Sequence, residues 1–191
     1  MRVIVGITGA SGAVYGLELL RALHALDHEV HAVVSEYGWK VLAHECGAGE
    51  EEIRRYACRV HPIDAMGACI ASGSFRTDAM AVAPCSMRTL AAIARGLAGN
   101  LLCRAADVII KERKNLVLLV RETPVSAVHL ENMLALARLG VGIVPASPGF
   151  YHKPQSIDDL VRMMVGRVLD SLNIRHDTAP RWVGMDGSGE E

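Results

Sequence analysis

The residues able to do chemistry cluster where short apolar runs end. The first such place is Gly6-Ile-Thr-Gly-Ala-Ser-Gly12, between a β-branched run and a helical pattern. Small residues let a ligand approach the backbone there, and the unbonded N–H groups of a helix start favour an anion. The spacing is not the Gly-x-Gly-x-x-Gly of a dinucleotide site, and the Lys-Ser/Thr of a P-loop is missing. The loop therefore reads equally as a nucleotide or phosphate cradle and as a tight turn. Ser35 follows the second run, and Ser86 and Thr89 follow the third in Pro84-Cys-Ser-Met-Arg-Thr89. Each could simply cap a helix, but three polar run ends in one sheet favour a shared ligand edge. A further run ends in Arg121-Glu122-Thr-Pro124. A cation and a carboxylate at that position could hold an anion and exchange protons, or form an internal ion pair. The stretch from Arg104 to Lys114 has cations at its end, Lys111 among them, and also reads as a solvated helix end complementing the macrodipole. The Pro-rich loop from Pro145 to Gln155 could hold Tyr151 rigidly, and Arg181-Trp182 either packs or closes a site. His24 and His28 share a helix face, but His31 falls on the next strand, and no acidic residue has suitable spacing. The three read as surface histidines rather than metal ligands.

These residues need a scaffold of alternating elements. Continuous runs at Val3–Thr8, Glu29–Val34, Ala79–Ala83, Leu116–Val120 and Val141–Val144 have the character of strands buried on both faces. Between them, apolar spacing predicts helices from Gly12 to about Ala25, after Ser35, over 50–58, 88–96, 100–113 and 126–139, and finally 156–172. Residues 59–78, with Gly, Pro and Ser and little periodicity, read as a long loop with functional potential. The β-α alternation implies a single α/β domain, a parallel sheet with helices on both faces. Its ligands belong at the carboxyl ends of the strands. Residues 1–175 form this domain; 176–191 read as a tail ending in Gly-Ser-Gly-Glu-Glu without a packing signal.

Composition agrees. Half of the 191 residues are hydrophobic but only 4% are aromatic, the aliphatic filling of an α/β core. A net charge of −1 gives no global field toward nucleic acid or membrane. Five scattered cysteines form no CxxC pair, which suits a reduced, cytoplasmic protein. No stretch reaches the roughly 20 apolar residues of a membrane span, and the N-terminal run lacks the pattern of a signal peptide.

Read together, Thr8-Gly-Ala-Ser-Gly12, Ala71-Ser-Gly-Ser74, Pro84-Cys-Ser86, Arg104-Ala-Ala-Asp107, Lys111-Glu-Arg113, Arg121-Glu-Thr-Pro124, His129-Leu-Glu-Asn-Met133, Pro148-Gly-Phe-Tyr-His152, Pro154-Gln-Ser156 and Arg181-Trp182 closely resemble the UbiX-type flavin prenyltransferases. Members of that family were formerly described as phenylacrylic or phenolic acid decarboxylases. The resemblance covers residues 1 to about 183. It implies a flavodoxin-like or Rossmann-like sandwich, assembled as a dodecamer with FMN between subunits. It also implies transfer of a dimethylallyl group from dimethylallyl phosphate to reduced FMN, without a metal. The product would serve a UbiD-type decarboxylase, and this chain alone would not decarboxylate aromatic acids. By match, Gly9, Ala10, Ser11, Ser35, Ser86, Thr89 and Arg104 would hold FMN. Ser72 would face the flavin and the prenyl group. Lys111, Arg121, Tyr151 and Arg167 would grip the prenyl phosphate, drawn from more than one subunit. Glu122 would handle protons near the flavin N5, Glu45 and Ser11 would assist in the pocket, and Trp182 would cover the allyl group. Met66 stands near a position where several members carry an aromatic, which implies a differently shaped prenyl pocket.

Two other readings use the same scaffold. One is an FMN-dependent decarboxylase of peptidyl or pantothenoyl cysteine, which uses a catalytic histidine near the early helices. The other is a non-enzymatic FMN carrier for a decarboxylase partner.

Overall fold

The structure, a computed structural model, describes residues 1–179, 181, 182 and 184. The strands are β1 (Arg2–Ile7), β2 (Glu29–Val34), β3 (Arg59–His61), β4 (Ala79–Cys85), β5 (Asn115–Val120) and β6 (Gly142–Pro145). The helices are α1 (Ala13–Ala25), α2 (Glu36–Cys46), α3 (Glu50–Tyr56), α4 (Met87–Ala94), α5 (Leu101–Lys111), α6 (Ala127–Arg138) and α7 (Ile157–Ser171), with one 3-10 turn at Cys69–Ala71. All strand pairs are parallel, in the order β3-β2-β1-β4-β5-β6. The chain thus winds outward in both directions from β1 and β4, and their carboxyl ends border the crevice where doubly wound sheets bind ligands.

Strand period 2 sorts the core into two layers. Val3, Val5, Ile7, Ala79 and Ala81 face a cluster completed by Leu17 and Leu20 of α1 and Val165 and Leu169 of α7. Ile4, Val33, Met80, Val82 and Leu118 face the other way, onto Leu90 of α4 and Leu101, Leu102 and Ile109 of α5. Each large aliphatic side chain buried this way contributes about 1.5–3 kcal/mol. That term, summed over both faces, holds the sheet between its helices.

The crossing of α1 over the sheet is close enough to demand glycine. A Cβ on Gly16 would lie 2.3 Å from the Ala83 carbonyl oxygen and 2.9 Å from Ile7 side-chain carbons. Backbone cannot yield as a flexible side chain can. Gly16→Ala is therefore expected to cost at least about 1–3 kcal/mol, read as a lowered denaturation midpoint with unchanged m-value. An unchanged midpoint would mean that α1 can slide freely on the sheet.

Three expectations need correction. Residues 59–78 are not all loop: Arg59–His61 adds an edge strand to β2, and Cys69–Ala71 makes a 3-10 turn. The edge strand is three residues long, too short for periodicity to show. His31 is not at the surface; it is buried on β2 with its ring nitrogen against that of His61. Burial and the neighbouring His31 and Arg59 push the His61 imidazole down to about 4. Finally, the expected tail is not wholly unpacked: His176 and Arg181 lie against α7. Asp170 on α7 accepts from Arg181 at 2.6 Å and pairs with buried His176 at 3.1 Å. The Gly-Ser-Gly-Glu-Glu end lies outside the described residues.

Candidate active site

The loops after β1, β2 and β4 enclose a cavity of about 500 Å³. Thr8, Gly9, Ser35, Tyr37, Ser86, Thr89 and Asn100 are among its lining residues. Ser35 accepts from the Gly38 N–H at 3.0 Å and Ser86 from the Thr89 N–H at 3.3 Å. The Ser86 hydroxyl also donates to the Thr89 hydroxyl at 3.2 Å. Capping does not take these hydroxyls out of the cavity: Ser35 and Ser86 each start a helix and also line it. Two helix N-termini, of α2 and α4, meet at this space, and their dipoles favour an anion. The cavity is of the size that takes a nucleotide-sized ligand, and small residues, hydroxyls and helix starts suit FMN and its phosphate.

The N-terminus of α1 is different. Gly12, at φ +96°, turns the chain into the helix in the left-handed region that favours glycine. No side chain of the cap position satisfies the first N–H groups. Instead Glu45, at the end of α2, accepts from the Gly12 and Ala13 N–H groups at 2.8 and 2.9 Å. The anion expected at this helix start is therefore the protein's own carboxylate. Burial pushes the Glu45 carboxyl up, but the Ser11 hydroxyl, the Ala13 and Gly12 N–H groups and the Arg121 charge outweigh it and hold it below its ordinary value. Arg121 completes the cluster from the end of β5, donating through Nε to the Ser11 carbonyl at 3.1 Å. Arg121 thus turns to the first loop and away from an ion pair with Glu122. Glu122 is exposed, accepts from the Thr123 N–H at 3.1 Å, and lines a cavity of about 380 Å³ with Arg121, Met133 and Ser147.

The remaining candidates fall into two other places. Arg104, on α5, donates to the Ala71 carbonyl at 3.1 Å and pairs with Asp107 at 2.9 Å. It supports the Ala71-Ser-Gly-Ser74 loop, in which the Ser72 and Ser74 hydroxyls share a hydrogen bond of 2.9 Å. Lys111, at the far end of α5, pairs with Glu112 at 2.6 Å. Because α5 runs down to the start of β5, Lys111 stands near the amino edge of the sheet, opposite the strand-end cavity. Tyr151, Arg167 and Trp182 line a pocket of about 110 Å³ against α7. The Tyr151 and Trp182 rings meet edge to face at 5.3 Å.

One chain thus brings together Gly9, Ser35, Ser86 and Thr89, and beside them Ser11, Glu45 and Arg121. It leaves Ser72, Arg104 and Lys111 in a second group and Tyr151, Arg167 and Trp182 in a third. Sequence reasoning missed Thr8 and Tyr37. Buried Thr8 ties β1 to β4, donating to the Pro84 carbonyl at 2.7 Å and accepting from the Ser86 N–H at 2.9 Å. A hydroxyl at a strand end was its available signal. Tyr37 carried none, because only the fold brings α2 over the first loop.

A doubly wound sheet with hydroxyls and helix starts at its switch point defines a nucleotide-binding α/β protein, and the Flavoprotein family model matches residues 1–169. A probable UbiX-like flavin prenyltransferase of Bacillus subtilis (strain 168) is 48% identical over 97% of this chain and 91% of its own. The crystal structure of AnUbiX (PadA1) in complex with FMN and dimethylallyl pyrophosphate is 45% identical, with a TM-score of 0.94 over 96% of this chain and 97% of that one. A dodecameric FMN-dependent UbiX-like decarboxylase from Escherichia coli O157:H7 is 47% identical, with a TM-score of 0.94 over 96% and 100%. The chain belongs to the UbiX-type flavin prenyltransferase family. Of the readings open at the sequence, the prenyltransferase one fits these relatives better than a cysteine decarboxylase or a carrier. No helix among the described residues is long and apolar enough to cross a membrane.

Proposed function

We propose that this chain transfers a dimethylallyl group from dimethylallyl phosphate to reduced FMN, giving prenylated FMN. The observation that carries the reading is the Arg121–Ser11–Glu45 cluster beside the strand-end cavity. It ties a cation and a held carboxylate to the first loop, whose Thr8 and Gly9 line the nucleotide-sized space.

Gly9, Ala10, Ser11, Ser35, Ser86 and Thr89 hold FMN, and Arg104 fixes the Ala71–Ser74 loop toward it. Reduced FMN, when bound, supplies the electron-rich ring that is alkylated. Arg121, Lys111, Tyr151 and Arg167 grip the prenyl phosphate. Its charge rises as the allylic C–O bond breaks, so these contacts strengthen toward the transition state. Trp182 and Tyr151 shield the allyl group from water, and the indole face stabilises its positive charge. Ser72 faces the flavin, and Glu122 moves the protons. Three separate groups of residues on one chain support an assembled site: a homo-oligomer, a dodecamer as in the E. coli relative, in which neighbouring copies bring Lys111 and the Tyr151 loop to the strand-end cavity. In this reading residues 1–175 are the flavin domain, and 176–191 a tail that carries Trp182 onto it. The product passes to a UbiD-type decarboxylase in the cytoplasm.

The test is anaerobic incubation with reduced FMN and dimethylallyl phosphate, with mass analysis of the released flavin. The expected result is FMN heavier by one five-carbon unit, with one phosphate released per turnover. Saturable FMN binding without any heavier flavin would favour a carrier; absence of FMN binding would overturn the reading altogether.

A further inference from the structure

We propose that His31, His61 and Cys69 form a binding site for one Zn²⁺ ion, apart from the strand-end cavity; the ion takes no chemical part in prenyl transfer. The sheet builds the pair. In the β2–β3 register His31 lies opposite Arg59 and Val33 opposite His61. His31 and His61 are therefore diagonal neighbours on one face, where long side chains meet. The 3-10 turn brings the Cys69 thiol to them, and one donor atom from each residue lies within 4.8 Å of the other two. Both imidazoles are buried and Cys69 is half-buried.

The two rings face each other through their nitrogens. His31 Nδ1 and His61 Nε2 are 2.9 Å apart, the ring centres are 5.2 Å apart, and the planes differ by 16°. Once the ring radii are allowed for, the nitrogen–nitrogen vector spans nearly the whole separation. The rings therefore meet edge to edge, almost coplanar, with their nitrogens aimed at one another. Between two such lone pairs there is place for a shared proton or for a cation. Zn–N bonds of about 2.0–2.1 Å at a tetrahedral angle set the nitrogens roughly 3.3 Å apart. To admit the ion the pair must open by about 0.4 Å and each ring must turn by about 35°, so that both lone pairs converge on it; a three-residue strand at the sheet edge leaves room for that movement.

A second observation points the same way. The other His31 nitrogen, Nε2, meets the Glu29 carboxylate at 3.2 Å, and that carboxylate is held by Arg2 at 2.7 Å. Carboxylate–histidine pairs of this kind orient the ring and raise its basicity at metal centres. Two imidazoles and a thiolate select a borderline-soft ion over Mg²⁺ or Ca²⁺, and water can fill the fourth position. Cys69 stands three residues before Ser72, so the ion would pin the Ala71–Ser74 loop to β2 and β3. His61 and Cys69 escape a reading of local spacing because each lies 30 or more residues from His31.

The site is tested on the untagged full chain, stripped with a chelator, by calorimetric titration with Zn²⁺ and by spectra with Co²⁺ as the probe. One equivalent of Zn²⁺ is expected to bind, and Co²⁺ is expected to show a thiolate charge-transfer band. Cys69→Ser should remove that band. Glu29→Gln, which keeps all three ligands, should weaken Zn²⁺ by about 10–100-fold. His61→Asn could disturb the buried pair, so the other two variants carry the test, with FMN binding as the check that they fold. Failure of the native chain to bind Zn²⁺ saturably would overturn the proposal. So would a charge-transfer band that survives Cys69→Ser, since another thiol would then hold the ion.

Discussion

Glu122→Gln is expected to lower formation of the prenylated flavin by about 10²–10⁴-fold, the usual contribution of a general acid–base group. Dimethylallyl phosphate should still be cleaved. The carboxylate is exposed and free of Arg121, which is turned to the Ser11 carbonyl. Its one hydrogen bond within the described chain is accepted from the Thr123 N–H, and a glutamine oxygen can accept it equally well. The substitution therefore keeps the loop and the size of the side chain and removes its negative charge and its capacity to exchange a proton. Rapid-quench sampling under anaerobic conditions should find phosphate released without a matching amount of final product. A variant that made product at the native rate would show that Glu122 is not the proton-transfer group. A variant that released no phosphate would move its role to binding or to C–O cleavage.

Arg121→Ala is expected to raise the KM for dimethylallyl phosphate by about 10²-fold, with a smaller effect on FMN affinity. Hydrogen bonds to charged groups are worth about 1.5–3 kcal/mol, and 2.7 kcal/mol is roughly a hundredfold. Arg121 has two duties: its Nε anchors the Ser11 carbonyl, and its terminal nitrogens make no hydrogen bond among the described residues, which leaves them for a phosphate. Arg121→Lys should restore part of the affinity through charge alone, because the planar fork that serves both duties is lost. The charge of Arg121 also helps to hold Glu45 below its ordinary value, so Arg121→Ala lets the Glu45 carboxyl rise. A KM within a few-fold of the native value in Arg121→Ala would reduce Arg121 to a clamp on the first loop.

Much of this was determined by the sequence alone. Short continuous apolar runs have the character of strands buried on both faces, and their alternation with helical spacing points to a parallel sheet with helices on both faces. Candidate ligand positions at run ends follow, because such sheets bind at their carboxyl edge; Ser35, Ser86 and Thr89 line the cavity there. The short edge strand Arg59–His61 was hidden, since three residues carry no period. What only the tertiary structure decided are the pairings between distant positions. Glu45 occupies the α1 N-terminus because α2 folds back over the first loop, more than 30 residues along the chain. Thr8 bonds Pro84 and Ser86 because β1 and β4 are neighbours despite the elements between them. His31 meets His61 because β3 pairs with β2 in one register and no other. Local pattern fixes which face a side chain takes; which partner it finds there depends on strand order and register, and those are settled by burial summed over the whole sheet.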